Sequence, residues 1–342
     1  MQGRRAAVDK LCMTTPDQRH DSALRRTRNR AHSQARPHPR VRARPIYAGA
    51  SYKITRRCLE RRMFFLPDDK AKAVENLVGY CLAHAANLFG IQVHASVMMS
   101  NHHHTDITDP QGHIVRFKQL FHSLLARGIN ALRGRFDAVW SHDKPCDTRR
   151  SEADETINDL VYTLTNPVKA GLVKWGHQWE GFTTHGWRFG ESRTFTRPKF
   201  LFDGEGNMPE KVHLTLHRPP LCLHLDDEEL FDLLMTQTRM RAQQYQEELR
   251  CRGGRPFVGV DKLRRQGWNS VPRSFEERFT QTPRVAGSSI WMLLAGLQRD
   301  RAWERAYAEA RTLLWAGMQA VFPEGTYWLR RYAGVRVGFV PS

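Results

Sequence analysis

Residues 92–108 read Gln92-Val93-His94-Ala95-Ser96-Val97-Met98-Met99-Ser100-Asn101-His102-His103-His104-Thr105-Asp106-Ile107-Thr108. Apolar side chains at Val93, Ala95, Val97 and Met99 alternate, which predicts a strand with one buried face. Ser100-Asn101 then reads as a turn into a second strand from His102 to Thr108, so the two pair as a hairpin. Working outward, Ser51-Tyr52-Lys53-Ile54-Thr55 starts an earlier β-branched strand. Pro67-Asp68-Asp69 opens a helix that carries Val74, Leu77, Val78, Cys81 and Leu82 on one face and closes at Gly90. Downstream, Phe117 to Leu132 makes an amphipathic helix. Ser151-Glu152-Ala153-Asp154 has the S-x-x-D form of a capping box ahead of a helix with Ile157, Leu160, Val161 and Leu164. This order predicts an α+β fold, an antiparallel sheet with helices packed on one face or both.

The chain has 342 residues, of which 40% are hydrophobic; 53 Lys plus Arg against 35 Asp plus Glu give a net charge of +18. That excludes a short disulfide-stapled scaffold, a collagen-like chain and a wholly disordered one. Only 11 of the 53 basic residues are Lys. Arg forks phosphate oxygens in a bidentate manner, so nucleic acid is the first partner to test. The longest apolar runs fall far short of the roughly 18 residues of a membrane span, and no secretory signal is visible. Six cysteines without a CxxC pair fit reduced thiols. The expected location is the cytoplasm, and no membrane partner is expected.

Four segments are expected. Residues 1–46, with 12 basic and three acidic side chains, form a basic disordered arm, either a DNA-tracking tail or a dispensable extension. Residues 47–190 form the catalytic domain, 191–222 a linker with short strands, and 223–342 a helical accessory domain. The last begins with the acidic helix start Asp226-Asp227-Glu228-Glu229 and contains a long helix from about Ser289 to Met318, with Trp303, Tyr307, Ala310 and Leu314 on one stripe.

Two clusters carry chemistry. Strand residues two apart share a face, so His102 and His104 project together and His103 oppositely; this pair is suited to one divalent ion, although a local His-His-His also occurs in solvated loops. Tyr162 and Asn166, four apart on the capped helix, share a face as well. Pro167 puts Asn166 near the helix end. Taken alone, Tyr162 also fits an ordinary half-buried aromatic.

Together, Tyr52-Lys53-Ile54-Thr55-Arg56-Arg57-Cys58, then His94 through His104, then Tyr162-x-x-x-Asn166-Pro167-Val168-Lys169-Ala170-Gly171-Leu172-Val173 resemble the single-tyrosine HUH transposases, within them the REP-associated and insertion-sequence-200-like group. The similarity spans about residues 45 to 190. It departs at Ser100, where the group usually has Pro, and at His103, where a bulky hydrophobic is usual.

The resemblance implies a ferredoxin-like or RRM-like catalytic domain. It further implies that His102, His104 and Asn166 bind Mg²⁺ or Mn²⁺, and that Tyr162 is the nucleophile that cleaves and rejoins single-stranded or hairpin DNA through a 5′-phosphotyrosine. The alternative is a domesticated protein that binds a DNA hairpin without cleaving it. Arg56, Arg57, Arg61, Arg62, Arg116, Lys118 and Lys169 are the candidate DNA contacts, and Phe64, Phe65, Phe136 and Trp140 are candidate base-stacking rings. The C-terminal tryptophans Trp291, Trp303, Trp315 and Trp328, interleaved with Arg, suit either a hairpin reader or an oligomerisation module. Monomer and homodimer both remain open.

Overall fold

The computed structural model describes residues 43–68, 72–142, 145–202, 206–253, 257–273, 283–286 and 289–338. The expected basic arm lies outside the described residues except for its last four positions. Residues 44–342 gather into one compact unit.

The chain runs β1 (Ala50–Arg57), α1 (Ala73–Phe89), β2 (Gln92–Met98), β3 (His102–Asp109), α2 (Ile114–Arg133), β4 (Cys146–Arg150) and α3 (Ala153–Lys169). The four strands form one sheet in the order β2-β3-β1-β4, every pair antiparallel. Order and connectivity are those of the split βαβ, ferredoxin-like arrangement, and the fold is α+β. Helices α1 and α2 pack on each other, while α3 packs on β2 and β3. His103 touches α2 and its neighbour His104 touches α3. Adjacent strand residues face opposite sides, so α2 and α3 cover opposite faces of the sheet.

Two helix starts differ from expectation. Helix α1 begins at Ala73 rather than Pro67, and the Asp68 carboxylate accepts the Ala73 and Val74 amides at 2.8 and 3.1 Å. Helix α3 has Glu152, not Ser151, at its N-cap, because β4 runs to Arg150 and leaves Ser151 in the extended exit. The same helix continues through Pro167, and Asn166 is buried within its last turn instead of standing loose at its end. Proline near a C-terminus removes one bond, to the Thr163 carbonyl, and the packed turn tolerates the loss.

The stretch expected as a linker with short strands holds a hairpin, β5 (Ser192–Thr196) with β6 (Lys211–Thr215), laid on α1. Phe195 reaches the helix backbone at Gly79, where a Cβ would stand 2.1 Å from its ring. Helix α4 (Asp227–Cys251) starts on an Asp226–Glu229 capping box and packs on α3. Phe195, Leu214, Leu230 and Leu234 share one buried cluster with the sheet, so the 191–222 and 223–342 boundaries cross a common core.

The remaining elements are α5 (Val260–Gln266), α6 (Ile290–Trp315), β7 (Val321–Pro323), α7 (Trp328–Ala333) and β8 (Arg336–Gly338). The segment 283–286, ahead of α6, bonds to β4: the Arg149 amide donates to Arg284 O at 2.8 Å and its carbonyl accepts from Ala286 N at 3.2 Å. The buried Arg149 guanidinium also meets Asp300 of α6 at 2.9 Å. On the other side, Thr183 and Leu216 bridge to β2. Both edge strands are thus bridged by chain from outside the sheet. Among the described residues, no helix is long and apolar enough to cross a membrane, and Cys58, Cys81, Cys146, Cys222 and Cys251 are free thiols.

Candidate active site on one face of the sheet

Register builds the site. In β1 against β3, Lys53 stands opposite Asp106, Thr55 opposite His104 and Arg57 opposite His102. Directly opposed residues share a face, and residues two apart on each strand do too. Six polar side chains therefore line the sheet surface that α3 covers.

His102 and His104 are edge to face, ring centres 5.0 Å apart. Nδ1 of His104 is 2.9 Å from Thr55 Oγ1, and Nδ1 of His102 is 2.7 Å from Asn101 Oδ1. Asn101 Oδ1 accepts from His102 Nδ1–H, the tautomer that offers Nε2 as a ligand atom, whereas the Thr55 hydroxyl can donate to or accept from His104. Burial holds His104 well below the ordinary imidazole range, with His102 and then Lys53 adding to the shift, so it is neutral at pH 7. Tyr162 descends from α3 with its ring 5.3 Å from that of His104. Asn166, one turn further along α3, is buried.

Two ammonium groups attend Tyr162. Lys53 Nζ is 5.0 Å and Lys169 Nζ 4.6 Å from its ring centre, distances at which the π face attracts a cation. Lys53 is buried and meets Thr163 Oγ1 at 2.7 Å, the Asp159 carbonyl at 3.0 Å and Asp106 Oδ1 at 3.3 Å. The Thr163 hydroxyl in turn donates a hydrogen bond to Asp106 Oδ2 at 2.6 Å. Arg150 bonds the Asp159 carboxylate. Burial, reinforced against Lys53 by the charge of Asp159, raises the Asp106 carboxyl to about 6.

His103 points away, as alternation requires. It is buried on the α2 face, Nδ1 3.0 Å from Thr105 Oγ1 and Nε2 3.0 Å from His122 Nε2. Phe121 and Trp140 enclose the pair. Burial depresses both imidazoles, His103 to about 3, so both are neutral. The two imidazoles form a polar pair inside the core.

Of the candidate DNA contacts, Arg57 and Lys169 lie with His102, His104 and Tyr162. Arg61 lies beside the turn, its carbonyl accepting from Asn101 Nδ2 at 3.1 Å. Arg56 is across the sheet, 5.3 Å from the Trp140 ring. Arg62 bonds Glu60 and Asn269, Arg116 covers Phe89, and Lys118 pairs with Asp147 at 2.9 Å. Phe64, Phe65 and Trp140 are core residues and Phe136 is exposed. Sequence reasoning missed Lys53, Asp106, Asp159, Thr163 and His122. Carrying the period of two from His104 on to Asp106, and along β1, was the available signal for the first pair.

The donor set suits a divalent ion only in part. Among the described residues no three of His, Cys, Asp and Glu converge, and the Asp106 carboxylate is held by Lys53 and Thr163. Two imidazoles alone are too few donors for a closed structural site, so an ion held there would keep open positions.

No protein-family model matches the sequence, and no curated protein matches it. Among solved structures, the chain is similar to a REP-associated tyrosine transposase bound to a REP hairpin, at 16% identity and a TM-score of 0.35 over 42% of this chain and 81% of that one. It is also similar to a protein from Deinococcus radiodurans R1 classed as a transposase, at 17% identity and a TM-score of 0.26 over 35% of this chain and 92% of that one.

Proposed function

We propose that this chain is a metal-dependent transposase or endonuclease that cleaves and rejoins single-stranded DNA, at hairpin repeats, with Tyr162 as nucleophile. One observation carries the reading: the Tyr162 ring stands 5.3 Å from His104, on the face where His102 and His104 pair. His102, His104 and Asn166 would hold Mg²⁺ or Mn²⁺. When bound, such an ion supplies Lewis-acid polarisation of the scissile phosphate.

The Tyr162 oxygen attacks phosphorus in line, the bond to the 3′-oxygen breaks, and the proton lost by the phenol is balanced by the one gained at the departing 3′-hydroxyl. The product is a 5′-phosphotyrosine, and attack by another 3′-hydroxyl reverses the step without ATP. Lys169 and Arg57 bring positive charge to the phosphate, while Thr55 and Asn101 fix the two imidazoles.

The test is cleavage of a hairpin-bearing single-stranded oligonucleotide with Mg²⁺ or Mn²⁺. Wild type should yield a product with a free 3′-hydroxyl and His104→Ala should not. Undiminished cleavage by His104→Ala would overturn the assignment. Binding of the hairpin without cleavage by wild type would favour the domesticated binding protein.

A further inference from the structure

Helix α7 (Trp328–Ala333) has no buried residue. A six-residue helix that gives nothing to the core is held for another reason, and its exposed side chains supply one. Trp328 and Tyr332, one turn apart, are 49% and 68% exposed. Their rings are stacked on one another, 5.3 Å apart and inclined by only 19°, and together expose an aromatic patch. The Arg331 guanidinium lies 5.6 Å from the Tyr332 ring centre. Arg330, Arg331 and Arg336 are exposed, and residues 325–338 contain no acidic side chain.

The helix is anchored at the far end of the sheet from the candidate site. Ile46 N donates to Gly325 O at 3.0 Å, and Gly49 N donates to the carbonyl of Asp109 at 2.7 Å. The phenol of Tyr327, the residue before the helix, lies within electrostatic reach of Arg116 and Asp109. Asp109 ends the strand that His102 begins. Seven strand steps separate them, about 23 Å.

We propose that Trp328 and Tyr332, flanked by Arg330 and Arg331, form a stacking platform for unpaired bases of a DNA strand whose other part occupies the Tyr162 face; this rests on the function proposed above. Aromatic faces stack on any base, and arginines alongside them neutralise phosphates. A second copy of the chain is the poorer occupant, since three arginines without an acid repel their own image. The strand between the two ends, about 23 Å long, sets the scale of that path, so only DNA that extends several nucleotides from the cleavage point reaches the platform.

The experiment compares wild type, Trp328→Ala/Tyr332→Ala and Trp328→Phe/Tyr332→Phe by fluorescence anisotropy on hairpin oligonucleotides with single-stranded tails of three and fifteen nucleotides, over a range of salt. Sedimentation velocity is run in parallel. On the long tail the alanine variant should bind at least about fivefold more weakly per ring lost, with the salt slope unchanged. The phenylalanine variant should keep most of the affinity, and the short tail should not discriminate. Arg330→Ala/Arg331→Ala should instead flatten the salt slope by about 1.4. Equal affinity of the alanine variant and wild type on the long tail would overturn the platform and leave the Tyr162 reading standing. So would a change of oligomeric state as its sole effect. Failure of wild type to bind any of these DNAs would overturn both.

Discussion

The Lys53 ammonium lies 5.0 Å from the centre of the Tyr162 ring and at the same time bonds Asp106 and Thr163. One buried cation therefore ties β1 to β3 and to the helix that carries Tyr162. Removing it strands the Asp106 carboxylate, whereas Asp159 keeps its pairing with Arg150. Lys53→Met should cost about 3–5 kcal/mol in chemical denaturation. Lys53→Met/Asp106→Leu should lose much less, because the uncompensated charge goes with its partner. Equal losses in the two variants would show that the pair is not coupled.

The His103–His122 contact makes a second stability prediction. His103→Leu leaves His122 Nε2 without a partner beside an Nδ1 that is already buried and unpaired. About 1–3 kcal/mol should be lost. His103→Leu/His122→Leu, which removes both polar partners, should recover most of that. Additive losses in this double-mutant cycle would contradict a direct bond.

His94 sets an acid limit on the fold. Its Nδ1–H donates to His217 O at 2.7 Å, and its Nε2 lies 2.8 Å from Thr108 Oγ1, which can donate to it when the ring is neutral. Burial lowers it to about 4. A depressed folded value means the unfolded chain binds the proton first. Stability from His94 is complete above pH 6.5 and is lost as pH falls toward 4, by up to about 3 kcal/mol. Equilibrium denaturation at pH 7, 5.5 and 4 should show the fall, and His94→Gln, less stable at pH 7, should show a shallower one.

The charge of the first 46 residues predicts a separation of affinity from chemistry. They carry +9 of the +18. Deleting residues 1–42 should weaken binding to unrelated single strands and flatten its salt dependence, while cleavage at low salt persists. Loss of cleavage at low salt would place a needed group in the arm.

Local pattern carried the parts of the fold that local physics decides. Alternation from Val93 to Thr108 gave the hairpin, Gly90 the end of α1, and the spacing of two the common face of His102 and His104. Helix spacing put Tyr162 and Asn166 together. Long-range packing was not legible in the same way. Lys53 and Asp106 meet through a strand register that neither segment encodes alone, and His122 finds His103 only once α2 lies on the sheet. Residues 191–222 read as a linker because their burial depends on Gly79, more than a hundred positions upstream, letting Phe195 approach. Among the C-terminal tryptophans periodicity did not separate core from surface: Trp303 is buried and bonded to Glu324 O, whereas Trp291, Trp315 and Trp328 are exposed.

The nucleophilic role of Tyr162 is the central claim, and a covalent adduct tests it most directly. Wild type and Tyr162→Phe are incubated with labelled hairpin-bearing single-stranded DNA and Mn²⁺ or Mg²⁺, then resolved on a denaturing gel. Wild type should give a labelled band at the mass of protein plus DNA that survives boiling in detergent, and Tyr162→Phe should give none. No such band from wild type with either ion, or one of equal strength from Tyr162→Phe, would contradict the account.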